Sequence, residues 1–384
     1  MKIKAMGIDL FSDTHLRKEL HAAFIMLANS SEYVFAKKAL TTIQKKVTDP
    51  DGNLLEQFQT AGFNQRLFEI FLNEVLEECG FTIDRSHGRP DFLARLDGIS
   101  VAVEAVTANP SGQGQIEYDP IPKWELDSEE IREARLNEWA IKLGSPLYTK
   151  YNKKYWKLPH VANIPFVIAI QDMSRPGSMA ASSASLLQYL YGIKFEMVSD
   201  ENGLAKPTFE RIAEHRSKDK VIPARFFDLP EAKYISAVLF SNTGDLDTFS
   251  RMGYISNGCD PEQIMLRYGM CDDGKATGDP APFIYRVGSS QAPSEKWSTG
   301  LVLAHNPNAI NPLPYGLFGE AVESRENPHG QIESNSTASF RPFSSKTVLH
   351  PIASNIDGRV YQSYASHLVN QSKNMGAPFM VYFL

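Results

Sequence analysis

The 384-residue chain is 42% hydrophobic and 22% charged, the balance of a globular protein rather than of a disordered or fibrous one. Its length suits one elaborated domain or two, and without a run of 18 apolar residues it is expected to have no membrane span. A net charge of −6 excludes a uniformly basic nucleic-acid coat but leaves room for a local basic groove.

The opening MKIKAMGIDLFSDTH lacks the apolar core of a signal peptide. Three scattered cysteines, Cys79, Cys259 and Cys271, suit a reducing compartment better than a disulfide framework or a zinc site. The expected location is cytoplasmic. Residues 12–48 read as two helices, the first capped by Ser12-Asp13 and the second running from Glu32 to Val47, so that residues 1–60 form a helical segment.

The informative stretch is residues 63–109. Leu67, Phe68, Phe71, Leu72, Val75 and Leu76 recur at helical spacing, and Gly80 stops that helix. Pro90 to Leu96 reads as a strand, Asp97-Gly98 as a two-residue hairpin turn, and Ile99 to Thr107 as the return strand. Counting outward from the turn sets Asp91 directly opposite Glu104, on one face, with Cβ atoms about 4.5–5.5 Å apart. Two carboxylates so close, on apolar strands, need a proton or a cation between them, and a hard divalent metal meets that need.

After the hairpin, Asn109–Gly114 is Gly-rich but lacks the Gly-Lys-Ser/Thr of a phosphate-binding loop. Ser128 to Leu143 reads as a helix broken by Gly144-Ser145-Pro146. The next piece, YTKYNKKYWKL, interleaves Lys150, Lys153, Lys154 and Lys157 with Tyr148, Tyr151, Tyr155 and Trp156. Its lysines could meet phosphates and its aromatics, Tyr151 among them, could stack on bases; equally, it could be an amphipathic helix with its rings in the core. Ile164–Gln171 is a buried strand, 178–191 a helix, and Tyr234–Phe240 a further strand that either opens a separate region or extends the same sheet. Between them Arg211, His215, Arg216, Lys218, Lys220 and Arg225 form a basic cluster read as a solvated surface, with a second phosphate contact as the alternative. His160 and His305 read as hydrogen-bonded structural residues. Leu301–Ala304 is a short strand, and the Ser-rich region 320–346 reads as mobile.

An acidic helix residue, Pro-Asp, a hairpin and a strand Glu, here Glu69, Pro90-Asp91 and Glu104, resemble the PD-(D/E)XK nuclease superfamily across residues 60–172. The resemblance implies an α/β fold with a restriction-endonuclease-like core: a central mixed sheet flanked by helices, spanning 61–231, with N-terminal helical and C-terminal (232–384) extensions. It also implies a metal-dependent nuclease acting on DNA. Asp91, Glu104 and the Ala105 carbonyl would hold Mg²⁺ or Mn²⁺, Glu69 would add a ligand directly or through water, and Gln171 and Asp172 would line the site. The motif lysine is missing: Val106 stands in its place. Lys142 or Lys150 is expected to supply that ammonium from the crossover helix, Lys142 being preferred because it belongs to the clearer helix. Symmetric double-strand cutting would favour a homodimer. The alternatives are a nuclease fold that binds nucleic acid without cutting it, and an interaction subunit.

Overall fold

The computed structural model describes residues 8–12, 19–47, 49, 52–109, 129–173, 183–199, 205–272, 280–351 and 366. The N-terminal part folds as helices α1 (Ala22–Asn29), α2 (Val34–Ile43) and α3 (Leu54–Gln59), ahead of the longer α4 (Phe63–Glu78). Asp13 of the expected first cap lies outside the described residues; His21 caps α1 instead, its Nδ1 accepting the Ala23 N–H.

Strands β1 (Thr82–Asp84), β2 (Phe92–Leu96) and β3 (Ile99–Ala108) then form an antiparallel meander. Helix α5 (Glu129–Lys153) crosses over to β4 (Phe166–Asp172), which pairs parallel with β3. Helix α6 (Ala184–Tyr191) leads into two small hairpins, β5 (Ile193–Ser199) with β6 (Ala205–Arg211) and β7 (Glu214–Ser217) with β8 (Lys220–Pro223). Strand β9 (Ala237–Ser241) rejoins the main sheet parallel to β4, and α7 (Leu246–Ser256) follows. Strands β10 (Gln263–Asp272) and β11 (Pro280–Arg286) pair with each other. Strands β12 (Val302–His305), β13 (Val322–Glu326) and β14 (Ile332–Asn335) complete the large sheet, and β15 (Pro342–Pro351) pairs with β10.

The main sheet is therefore eight-stranded and mixed, in the order β1-β2-β3-β4-β9-β12-β13-β14. The chain beyond residue 232 contributes four of those strands, so its sheet is continuous with that of the hairpin. Alternation along β3 divides the core. Val101, Val103 and Ala105 pack with α4 and the N-terminal helices, while Ala102, Val106 and Ala108 pack with α5 and α6. No helix among the described residues is long and apolar enough to cross a membrane.

Two sequence expectations differ from the structure. Helix α5 runs through Gly144-Ser145-Pro146 to Lys153. A proline costs it one backbone hydrogen bond, but Leu143, Leu147 and Tyr151 bury the continuing face against the sheet. Gly144 serves that packing: a Cβ there would come within 3.0 Å of both the Tyr189 ring and Ile222. The Ser128 cap lies outside the described residues. The basic cluster is a solvated surface as expected, with Arg211, Arg216, Lys218 and Lys220 exposed; Arg211, Arg216 and Arg225 pair with Glu326, Glu214 and Asp228, and only His215 of the six is buried. The Ser-rich stretch 320–346, expected to be mobile, holds β13, β14 and the start of β15. Cross-strand pairing and Ser324–Ser334 hydroxyl contact stabilise it where composition alone does not.

Beneath α7, Arg251 and Arg267 share the Glu295 carboxylate at 3.1 and 2.9 Å, and the Tyr285 hydroxyl donates to its other oxygen at 2.5 Å. All three charged side chains are 3% exposed or less. Burial would raise the Glu295 pKa, yet the two guanidiniums outweigh it and hold it below the ordinary range. Glu295→Ala strands two buried cations, and is expected to cost about 3–5 kcal/mol of unfolding free energy by urea denaturation. A loss below about 1 kcal/mol would show that the cluster rearranges around water.

Candidate functional site

The Asp97-Gly98 turn closes β2 on β3 with φ of 49° and 82°, the left-handed pair of a type I′ turn. Leu96 faces Ile99 and Phe92 faces Val103, and the same register carried one step on puts Asp91 beside Glu104. The two are directly joined. The Asp91 N–H donates to Glu104 Oε2 at 3.3 Å, and the Ala105 N–H donates to Asp91 Oδ2 at 2.7 Å. Among the described residues, Asp91 Oδ1 accepts no hydrogen bond.

Of the two lysines offered by the sequence, Lys150 reaches the pair. Its Nζ lies 2.5 Å from Glu104 Oε1, and it projects from the last turns of α5 onto the sheet face that also carries Val106. Lys142 does not. It lies eight residues earlier, about 12 Å along the helix at 1.5 Å per residue. There it pairs with Glu138 at 3.4 Å and lines a groove near Thr107 and Lys218.

Glu69 approaches from α4, on the other layer. Arg66 Nη1 donates to one of its oxygens at 2.6 Å, and Gln65 Nε2 to the other at 2.9 Å. Gln65 Nε2 also reaches the Ala105 carbonyl at 3.2 Å, and Thr107 donates to Gln65 Oε1 at 3.3 Å. Gln65 thus ties the acidic helix to the strand that carries Glu104. Its role was not legible from sequence, because a glutamine on an amphipathic helix carries no chemical flag. Tyr155 was also missed as a site residue: its phenol lies near enough to Glu104 to feel that charge, while its ring packs edge-on against Phe166. It was hidden among aromatics at irregular spacing.

Charges in the site follow burial. Desolvation, then the neighbouring Glu104 and Glu69 charges, push Asp91 well above the carboxylate range. Burial pulls Lys150 down, but the Glu104 carboxylate and then Asp91 outweigh it and keep its ammonium more basic than usual. Lys150 is therefore a proton-bearing cation at neutral pH, not a base. Burial, then the Glu104 charge, raise the Tyr155 phenol.

The remaining expectations divide. Gln171 lies on the α4 face and its Oε1 accepts the Gly244 N–H at 3.1 Å, so it turns away from Lys150. Asp172 is buried at the end of β4, beyond the level of Glu104. Of the basic-aromatic segment, Lys154 and Lys157 both pair with Glu231, and only Lys153 is exposed with no ion pair among the described residues. The Tyr151 ring is buried against Trp156 and Phe226, which leaves no face for a base to stack on. His160 and His305 are hydrogen-bonded, to the Arg89 carbonyl and to Glu323. The loop expected after Asn109 lies outside the described residues.

Among the described residues, no three His, Cys, Asp or Glu side chains converge as a ready metal cage. A two-carboxylate set still fits Mg²⁺, which retains several waters and takes one or two protein carboxylates. The vacant lone pairs of Asp91 Oδ1 and the crowding of Asp91 by Glu104 are the features that fit. Comparison with family models, with curated proteins and with solved structures returns no match, so the site is read from its own geometry.

The folded chain holds the Asp91 proton more tightly than the unfolded chain does. Stability from Asp91 is therefore full below the ordinary aspartate range and is lost as pH rises through its raised value. Asp91→Asn is expected to melt above wild type by a margin that is larger at about pH 8 than at about pH 5. Scanning calorimetry at both pH values checks it, and an unchanged margin would show that Asp91 is not crowded by negative charge.

Proposed function

We propose that this chain is a metal-dependent nuclease with a restriction-endonuclease-like core, cutting phosphodiester bonds in DNA. The observation that carries the reading is Lys150. It brings an ammonium to Glu104 on the sheet face where the motif lysine would project from position 106, so the valine there marks a displaced cation rather than a missing one. An inert binding protein has no need to keep a lysine, two opposed carboxylates and a tyrosine hydroxyl together at that cost in desolvation.

A Mg²⁺ or Mn²⁺ held by Asp91, Glu104 and the Ala105 carbonyl would supply Lewis-acid stabilisation of the phosphoryl oxygens and a more acidic water. The protein does the rest. Asp91, joined to the Ala105 N–H, fixes the backbone at the start of the Glu104 side chain's pocket. Gln65 fixes the Ala105 carbonyl from the other side and orients Glu69, whose charge Arg66 already balances. Lys150 stays protonated and offers positive charge where the pentavalent phosphate gains negative charge. Lys150 and the Asp91 N–H both hold Glu104, so its carboxylate has one orientation when substrate arrives, with the Tyr155 phenol beside it.

Cleavage of plasmid, linear duplex and single-stranded DNA with Mg²⁺ or Mn²⁺ tests this directly. Activity should vanish with chelator and in Asp91→Ala. Lys150→Ala should lose about 10²–10³ in rate, the cost of one oriented charge at the transition state, and Tyr155→Phe about tenfold. Lys142→Ala should stay near wild type. Salt-sensitive DNA binding with no cleavage by the folded wild-type chain would instead favour a non-cutting nuclease fold.

A further inference from the structure

A cleft of about 120 Å³ opens on the side of Asp91 away from Lys150, between α4, the start of α3 and the segment leading into β2. Glu69 and Asp91 form one wall, Arg66 and Arg85 supply cations, and His87 adds a ring nitrogen. We propose that this cleft is a subsite for a terminal phosphomonoester of the nucleic acid, so that the chain works from phosphorylated ends. The inference rests on the nuclease reading for its substrate, but on separate residues for its chemistry.

The charges in the cleft are unequal in what they have left to give. Asp49 spends both oxygens on backbone, accepting the N–H groups of Asn53 and Leu54 at 3.1 and 3.0 Å. Glu69 spends both on Arg66 and Gln65. The cations are less occupied. Arg85 donates through Nη2 to a neutral acceptor, Asn73 Oδ1, at 2.5 Å, and no carboxylate pairs with it among the described residues. The acid that acts on it, Glu77, already holds Lys46 and Asn73. Arg66 extends its second amine to Asn53 at a long 3.4 Å. His87 is held by stacking on His160, with ring centroids 3.8 Å apart, and by Ser86 at Nδ1; its Nε2 has no partner among the described residues.

The Arg85 guanidinium is exposed and has gained no carboxylate among the described residues, so its planar fork is open to an anion. A phosphomonoester carries about −1.5 to −2 charge, more than the −1 of a backbone diester, and three acceptor oxygens for the arginine fork. A hydroxyl end offers neither. Because Asp91 and Glu69 wall the cleft, its occupant lies against the centre that cuts, which places it on the terminal nucleotides.

The test is fluorescence anisotropy on one short labelled duplex in three forms: 5′-phosphate, 3′-phosphate and hydroxyl at both ends. Chelator prevents cleavage. Wild type should bind one phosphorylated form about tenfold or more tightly than the hydroxyl form, and the arms identify which end. Arg85→Ala should erase that preference while leaving the hydroxyl duplex near its wild-type affinity, and Arg85→Lys should restore part of it. Equal affinity for all three forms, or an Arg85→Ala defect shared equally by all three, overturns the subsite. The two readings separate cleanly. Efficient cutting of closed circular DNA with no end preference removes the subsite and keeps the nuclease. End preference in a chain that never cuts does the reverse.

Discussion

The hairpin between β2 and β3 admits one register, because both turn residues adopt positive φ and the apolar face of each strand must meet its own core. A shift by one residue would send Val101, Val103 and Ala105 to the wrong layer and Glu104 into the α4 core. Everything at the site depends on that register. It makes Asp91 and Glu104 neighbours across the strand pair, and so obliges the fold to find them a compensating charge. The obligation is met locally by backbone N–H groups and, from α5, by Lys150.

The compensation explains the shape of α5. A lysine that must reach Glu104 from a crossover helix requires that helix to stay ordered well past Leu143. The Gly144-Ser145-Pro146 sequence disfavours this locally, yet the apolar face on either side of it is buried against β3, β4 and α6. Tertiary packing wins over the local signal because several buried side chains outweigh one missing hydrogen bond. At the end of the helix Lys154 takes φ of 52°, turns the chain, and delivers Tyr155 to the same carboxylate.

What could be read from the sequence was what has a short period or a short range. The α4 stripe, the Asp97-Gly98 turn and the apolar run of β4 each announce themselves within a dozen residues, and the opposition of Asp91 to Glu104 follows by counting. The strands of the C-terminal half do not. β13 and β14 are short and polar, and they are ordered by pairing with each other and, through β13, with β12, so neither hydropathy nor alternation marks them. The same limit governed the site. The sequence favours Lys142 over Lys150, and the structure reverses that choice because α5 persists to Lys153. Tyr151 and Tyr155 look alike in sequence, while the fold buries one in the core and turns the other to Glu104. Gln65 and the Arg66–Glu69 pair give no sign at all until α4 is laid against β3.

The order in which the chain emerges during synthesis adds a last consequence. The hairpin with Asp91 and Glu104 is made early, but its sheet is finished only by β12, β13 and β14. The C-terminal end of α4 is likewise closed by a distant segment: Glu78 accepts the N–H groups of Trp297 and Ser298 and the Ser298 hydroxyl. Such long-range closure is slow and comes late, because the entropy of ordering some two hundred intervening residues precedes any contact that offsets it. The growing chain on the ribosome therefore carries the residues of its centre long before it carries the scaffold that aligns them. The register of the carboxylates is local to the hairpin, but the sheet that carries them is complete only once the second half of the protein has left the exit tunnel.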